Sequence, residues 1–351
     1  MSIMCRQAAG RRRSGATFQH WGLSSIYGVF LIATACLLAQ PVLAAEAGQK
    51  APQTLEILQK IQAAARTLDY AGVYTYQQGP VMLSSRIVHL VDGTGERERL
   101  ELLDGAPREY LRHNEVTQCL IPEKKHIVIE QRRGDRFPAL IMGSGEGIAE
   151  HYQINVVPTI HRIANRECTM IELLPGDSHR YGYRLCIDNE TNLLLKAQTV
   201  SAEHGLIDQI SFTSLQLGDK VEPGQLVSSW NTKNWQVVET VMEPVDLAAN
   251  GWRIPFPPGF QPVTEVSRTM QRSRKVSQLV ISDGLAAISV FIEPYGSGPE
   301  PPANGMASAG AMNIFQARIG GHRLTALGEV PAGTLRDIVE RTEYVPGAGR
   351  P

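Results

Sequence analysis

From Asp69 onward the chain stops repeating at helical spacing and begins to alternate apolar and polar residues in closely spaced runs. GVYTYQQG, SSRIVHLVDG, ERERLELLDG, REYLRHN, EVTQCLIP and HIVIEQ follow one another within about 60 residues. A period of two sends successive side chains to opposite faces of an extended backbone. Gly79-Pro80, Asp92-Gly93, Asp104-Gly105 and Asn114 separate the runs with residues that suit turns. Six short strands at this density predict an antiparallel meander. Ahead of them, Leu55, Leu58, Ile61, Ala65 and Leu68 fall on one face of a helix over Thr54–Leu68. After them a glycine-rich loop at 143–147 and a short helix at IAEHY interrupt the series. It resumes at Tyr152–Val157, passes through a hairpin and ends with Leu193–Ser201 and Leu206–Leu217. Roughly 11 strands and one leading helix predict a strongly curved antiparallel half-barrel, with the helix on its concave side and an apolar cavity within.

The alternation is lost between Gly218 and Asn234, where Gly, Pro, Ser, Asn and Lys gather, and this stretch reads as a linker and hinge. Beyond it, GWRIPFPPGF mixes aromatics with prolines, which a central strand excludes. VSQLVISDGLAAISVFIEP is a hairpin turning at Ser282-Asp283-Gly284, and NIFQARIGGHRLTALGEVP a second one turning at Gly320-Gly321. The Pro-, Gly- and Ser-rich stretch between them, Tyr295 to Gly310, has little to bury and reads as a fraying loop. A helix over Ala332–Val345 follows Pro331. The expected division is a signal segment at 1–44, a large domain at 50–217, a linker at 218–234 and a smaller α+β domain at 235–345. The fold class is α+β, mostly β.

The N-terminus carries the parts of a secretion signal: Arg6, Arg11, Arg12 and Arg13, an uncharged run from Ile26 to Leu38, and the small-residue site Val42-Leu43-Ala44. The run is shorter than the about 20 apolar residues a membrane span needs. Cleavage after Ala44 removes four positive charges from a chain of formal net charge −1. The mature chain is then acidic and lacks the cationic excess that nucleic-acid binding draws on. Cys119, Cys168 and Cys186 remain, in a compartment that permits disulfides. Folding the hairpin RECTMIELLPGDSHRYGYRLCID about Asp177 sets Cys168 opposite Cys186, so either a cross-strand disulfide or two buried thiols results.

Little in the sequence points to catalysis. The histidines form no HExxH or HxH pattern, no CxxC or GxSxG occurs, and GSGEG lacks the rest of a phosphate loop. No cofactor or metal is expected. Two groups have a functional reading beside a plainer one. Val73, Tyr74, Tyr76 and Val81 could line the apolar cavity, or simply pack in the core. Arg268, Arg272, Arg274 and Lys275 could grip an acidic peptide or lipid phosphates, or form a solvated surface.

DYAGVYTYQQ, PGDSHRYGYRLC, IDNETNLLLKAQ, GWRIPFPPGF, VISDGLAAISVFIEP and GEVPAGTLRDIVE, in this order across both domains, resemble the MucB/RseB family of periplasmic regulators of the envelope-stress sigma factor. The resemblance implies an N-terminal domain like the lipoprotein carriers LolA and LolB and no enzymatic activity. It implies as partner the periplasmic domain of a membrane-spanning anti-sigma factor of the RseA/MucA kind, shielded from site-1 proteolysis while bound. Lipopolysaccharide or lipoprotein acyl chains would enter the cavity and release the grip. A homo-oligomer is left open. The N-terminal architecture taken alone also fits a periplasmic lipoprotein or lipid carrier, a role that has no need of the second domain.

Overall fold

The computed structural model describes residues 43–131, 137–140, 147–239, 241–270, 274–296 and 304–346. The export segment up to residue 42, the loop residues 143–146 and Arg272 lie outside the described residues. Helix α1 (Leu43–Thr67) leads into β1 (Tyr70–Gln78), β2 (Val81–Asp92), β3 (Gly95–Leu102), β4 (Arg108–His113), β5 (Val116–Ile121) and β6 (His126–Gln131). A short helix, α2 (Ile148–His151), precedes β7 (Tyr152–Ile163), β8 (Arg166–Pro175), β9 (Gly182–Asp188), β10 (Leu194–Ser201), β11 (Gly205–Leu217) and β12 (Gln236–Glu239). These twelve strands make one sheet in the order β12-β6-β5-β4-β3-β2-β1-β11-β10-β9-β8-β7. The two meanders are joined where β1 pairs antiparallel with β11. The sheet is curved and remains open. Its outer strand β7 blunts its free edge with a bulge between Val157 and Ile160 and with Pro158, which has no N–H to offer.

One face of the sheet receives α1. Leu58 and Ile61 pack on Ile171, Leu173, Tyr183, Leu185, Ile187 and Leu194, all of which point to the helix side of β8, β9 and β10. Near the end of the helix, the Tyr70 hydroxyl donates to the Ala65 carbonyl and the Tyr70 ring stacks on His89 at 4.8 Å. The opposite face is covered by the stretch expected to be a linker. Residues 218–220 and 223–226 form short 3-10 turns, and Val221 and Leu226 are buried on Ala71, Val88 and Leu90. Arg99 fastens this strap by donating to the Gln225 carbonyl (3.2 Å), Ser229 Oγ (2.7 Å) and Glu109 (2.8 Å). The strap then continues into β12, which joins the sheet parallel to β6. The composition suits a flexible connector, but two apolar side chains and one buried guanidinium give this stretch something to hold. The covalent crossing between the two sheets therefore falls between Glu239 and Met242.

The second sheet comprises β13 (Met242–Pro244), β15 (Gln261–Met270), β16 (Arg274–Ser282), β17 (Ala287–Pro294), β18 (Asn304–Ala309), β19 (Met312–Ile319) and β20 (His322–Gly328), in the order β13-β15-β16-β17-β20-β19-β18. A two-stranded ribbon, β14 (Trp252–Arg253) with β21 (Glu343–Tyr344), flanks it. Helix α3 (Ala332–Glu340), with Pro331 at its N-cap, buries Leu335, Ile338 and Val339 against Ile281, Ile288, Val290 and Leu324. Strand β18 corrects the expected fraying loop. Gly305, Ala307 and Ser308 have weak strand propensity of their own, and antiparallel pairing with β19 holds them extended.

Cys168 and Cys186 are fully buried and joined in a disulfide. Their register departs from the expected one: Cys168 lies opposite Asp188 and Cys186 opposite Met170. The hairpin is centred on Ser178 rather than Asp177, which makes the bridge a diagonal one.

Two carboxylates brace this domain and give its stability a pH dependence. Burial raises the Asp188 carboxyl, but Arg166 and Thr191 outweigh it and hold it below its ordinary range. Burial likewise acts against Glu109, and hydrogen bonds from Arg99, Ser228 and Ser229 overcome it. A carboxyl depressed in the folded state contributes fully above its unfolded pKa, near 4, and the contribution is lost as pH falls through the folded value. The melting temperature is therefore expected to fall as the solution goes from about pH 5 to about pH 2, less steeply in Asp188→Asn. A flat thermal profile across that range would contradict this.

Candidate functional site

Strand β1 alternates, so Tyr70, Tyr74 and Tyr76 share the helix side while Ala71 and Val73 face the strap side. Val73 is thus separated by the sheet from the two tyrosines it was grouped with. Tyr74 is buried in an aromatic cluster with Phe137 (5.3 Å) and Phe212 (6.0 Å), whose own centroids lie 5.1 Å apart. Phe137 and Leu140 pack against the helix-side core, and the Leu140 N–H donates to Gln62 Oε1 of α1 at 3.3 Å. Tyr74 is thus a packed core residue on the helix side of the sheet. Val81 lies at the exposed start of β2.

Tyr76 belongs to a different site. Its hydroxyl donates to Asp208 Oδ2 at 2.9 Å, and the same oxygen accepts the Ala311 N–H of the second sheet at 2.8 Å. Gln78 reaches across beside it to the Ala309 carbonyl at 2.6 Å. Gly310 sits in this contact with φ +55°, and a Cβ there would fall 2.1 Å from Asp208 Oδ1, so the approach requires glycine. Nearby, Asn313 donates to the Tyr181 hydroxyl (3.1 Å) and Thr334 to the His179 carbonyl (3.1 Å).

The centre of the junction is a charge pair. The side chains of Arg180 and Asp283 are both 0% exposed, with Nη1 2.8 Å from Oδ2. Asp283 occupies the Ser-Asp-Gly turn, where its Oδ1 accepts the N–H groups of Leu285 (2.9 Å) and Ala286 (2.7 Å). The turn thereby aims Oδ2 outward, at Arg180 and at the Tyr152 hydroxyl 3.0 Å away. Arg180 comes from the widened 176–181 turn. It also bonds Asp177 (3.1 Å) and the Pro258 carbonyl, and its guanidinium lies between the rings of Tyr152 (5.6 Å) and Phe260 (5.2 Å). Burial pushes the Tyr152 phenol well up, reinforced by Tyr183 and Asp283. Burial raises Asp177 too, but Arg180 and the His179 N–H prevail and keep it low. Leu285 packs into the helix-side core of the first domain, and Gly259 passes so close to His151 that a Cβ would meet Nε2 at 2.1 Å. Tyr152 thus has its ring in the apolar core under α1 and its hydroxyl in the junction.

The basic cluster is not one surface. Arg268 pairs with Val276 and Thr269 with Lys275, so Arg268 and Lys275 lie on opposite faces of the β15–β16 ribbon. Arg268 is half-buried, 5.6 Å from the Phe291 ring; burial pushes its pKa down while the charge of Glu130 on β6 opposes the shift. Its charge faces inward, toward the first domain. Lys275 is exposed, and Arg274 is placed only through its backbone, opposite Met270.

An open groove of about 430 Å³ lies on the strap side, lined by Arg97, Leu111, His113, Val116, Gln118 and Leu226, and contains none of the residues singled out from the sequence. Among the described residues no three His, Cys, Asp or Glu are grouped to hold a metal ion. Arg180, Asp283, Tyr152 and Asp208 escaped the sequence reading. The two turns that meet at Arg180 and Asp283 were legible as turns, but nothing in residues 103 positions apart says that they touch.

A helix-backed open sheet, joined through buried polar contacts to a smaller α+β domain, defines a two-domain, mostly β protein. The chain belongs to the MucB/RseB family: residues 53–230 match the MucB/RseB N-terminal domain and residues 246–343 the MucB/RseB C-terminal domain. It is 29% identical over 315 residues to the sigma factor AlgU regulatory protein MucB of Pseudomonas aeruginosa, covering 87% of this chain and 95% of that one. It is 24% identical over 299 residues to the sigma-E factor regulatory protein RseB of Haemophilus influenzae, covering 82% and 90%. The crystal structure of MucB in complex with MucA(peri) matches with a TM-score of 0.64 at 28% identity, covering 82% of this chain and 98% of that one. The Pseudomonas aeruginosa MucA/MucB complex gives a TM-score of 0.65 at 27% identity, over 83% and 99%.

Proposed function

We propose that this protein is a non-catalytic periplasmic regulator, exported by cleavage near Ala44, that binds the periplasmic part of a membrane-spanning anti-sigma factor. While bound it shields that factor from site-1 proteolysis and so keeps the envelope-stress sigma factor inactive. The observation that carries this reading is the similarity, through both domains, to MucB solved in complex with MucA(peri).

Release by lipid requires that an acyl chain favour a state that holds the partner poorly, since a ligand with equal affinity for two states shifts nothing. The aromatic cluster of Tyr74, Phe137 and Phe212 is the proposed seat of that chain. Tyr152 and Leu285 supply the link, because both pack in the core under α1 and both belong to the junction. Each buried methylene contributes about 0.8 kcal/mol toward such a bias. Of the four basic residues expected to meet a partner, Lys275 is proposed for that contact; Arg274 lies on the face of Arg268, which acts inside the protein, toward Glu130.

The purified protein is expected to capture the soluble periplasmic domain of its anti-sigma factor and to slow its cleavage by the site-1 protease, with lipopolysaccharide reversing both. Lys275→Glu should weaken capture while leaving the melting temperature unchanged. Absence of capture, with lipoprotein bound instead, would favour the carrier function.

A further inference from the structure

The tip of the β1–β2 hairpin exposes apolar side chains on β2, next to Gln78 of β1, which reaches the Ala309 carbonyl. Val81, Met82 and Leu83 are 51%, 64% and 41% exposed. They are consecutive in a strand, so Val81 and Leu83 point to the helix side and Met82 to the strap side. A strand that packs on a core is apolar on one face. This one is apolar on both faces and exposed on both, which suits a wedge surrounded by an apolar medium better than a face laid on a partner. Leu103, 40% exposed, lies beside it, its N–H on the Ser84 carbonyl.

The surroundings carry matching charge. In an up-and-down meander the β1–β2, β3–β4 and β5–β6 turns all emerge at the same end of the sheet. The β5–β6 turn presents Lys124 and Lys125, both exposed and neither with an ion-pair partner among the described residues. Of the acidic groups at this end, Glu123 is engaged by Arg108 and Asp104 by the Ser84 N–H, while Glu203 in the β10–β11 turn is exposed beside His204. Neighbouring strands are spaced about 4.8 Å apart, so the lysines stand about 20 Å from the apolar tip along one edge. Apolar side chains that enter the acyl boundary, flanked by cations at headgroup level, are what binding at a membrane surface requires.

We infer that the β1–β2 tip is a membrane-surface anchor, with Val81, Met82 and Leu83 entering a phospholipid leaflet and Lys124 and Lys125 contacting its anionic headgroups. It places the protein at a bilayer through a hairpin tip, and it is distinct from an acyl-chain seat under α1. The test is co-sedimentation of the purified protein with vesicles of phosphatidylethanolamine and phosphatidylglycerol, and with phosphatidylcholine vesicles. The protein should partition onto the anionic vesicles, and the double variant Met82→Asp, Leu83→Asp should lose at least about tenfold of that binding. Lys124→Glu with Lys125→Glu should lose about fivefold per lysine at low salt and little at high salt. All four positions are exposed, so the melting temperature should not move. A wild-type protein that stays in the supernatant, or variants that bind as well as it does, would overturn the inference. So would a tip variant that keeps vesicle binding and loses capture of the soluble anti-sigma domain, since the tip would then be a protein contact.

Discussion

Asp283→Ala is expected to destabilise the protein by about 3–5 kcal/mol, because it removes the fully buried counter-charge of the Arg180 guanidinium and leaves it only Asp177 and the Pro258 carbonyl. The cost comes from the partner left behind. Arg180 and Asp283 are both fully buried, and Asp283 also accepts from Tyr152 and from two N–H groups of its own turn. Urea denaturation would report the loss, and small-angle scattering would show whether the domains separate before they unfold. Replacing both partners together, Arg180→Met with Asp283→Leu, is expected to recover only part of the stability, since the buried guanidinium is gone but Asp177, the Tyr152 hydroxyl and two turn N–H groups lose their partner. If Asp283→Ala cost less than about 1 kcal/mol, the pair would not be what holds the junction. The same measurement bears on regulation. The buried pair is the centre of a junction that the Asp208, Gln78, Asn313 and Thr334 contacts also hold, and a ligand under α1 that displaces Tyr152 or Leu285 acts on that junction.

Removing the Cys168–Cys186 bridge is expected to cost about 3 kcal/mol, the loop-closure entropy of an 18-residue separation. The double variant Cys168→Ala, Cys186→Ala tests this by denaturation, with the wild type in reducing and non-reducing buffer as reference. Both sulfurs are buried, so a mild reductant should leave the native protein oxidised and act only once it unfolds. Mass spectrometry of the unreduced digest should contain the cross-linked pair, and its absence would remove the bridge from the account. The hairpin it ties carries the Arg180 turn, so loss of the bridge should also lower resistance to proteolysis at residues 176–181.

The strands of both domains were legible because their cause is local. GVYTYQQG and HIVIEQ alternate, the turns carry Gly, Asn and Asp, and α1 repeats at helical spacing. The Ser282-Asp283-Gly284 hairpin and the helix after Pro331 were readable for the same reason. Composition misled at two places. Residues 218–234 look like a connector, yet Val221 and Leu226 find an apolar face and Arg99 finds the Gln225 carbonyl. Residues 304–309 look like a loop, yet a partner strand lies beside them.

The site was less legible than the fold. Tyr74 and Tyr76 were grouped by nearness in sequence, and although they share a face, one reaches the aromatic cluster and the other the Asp208 contact. Arg268 and Lys275 were grouped by charge, and the pairing of β15 with β16 puts them on opposite faces.

The sequence by itself determined most of the strands, the existence of the leading and closing helices though not their ends, the hairpin turns and the family, because periodicity, turn chemistry and residue order are properties of neighbours along the chain. Only the tertiary structure decided the diagonal register of the cysteines, the parallel addition of β12, the strap over the outer face and the Arg180–Asp283 junction. Each of these depends on burial or on charge pairing between residues far apart in sequence. Desolvation, which makes such a pair costly to break, exists only once the two surfaces have met.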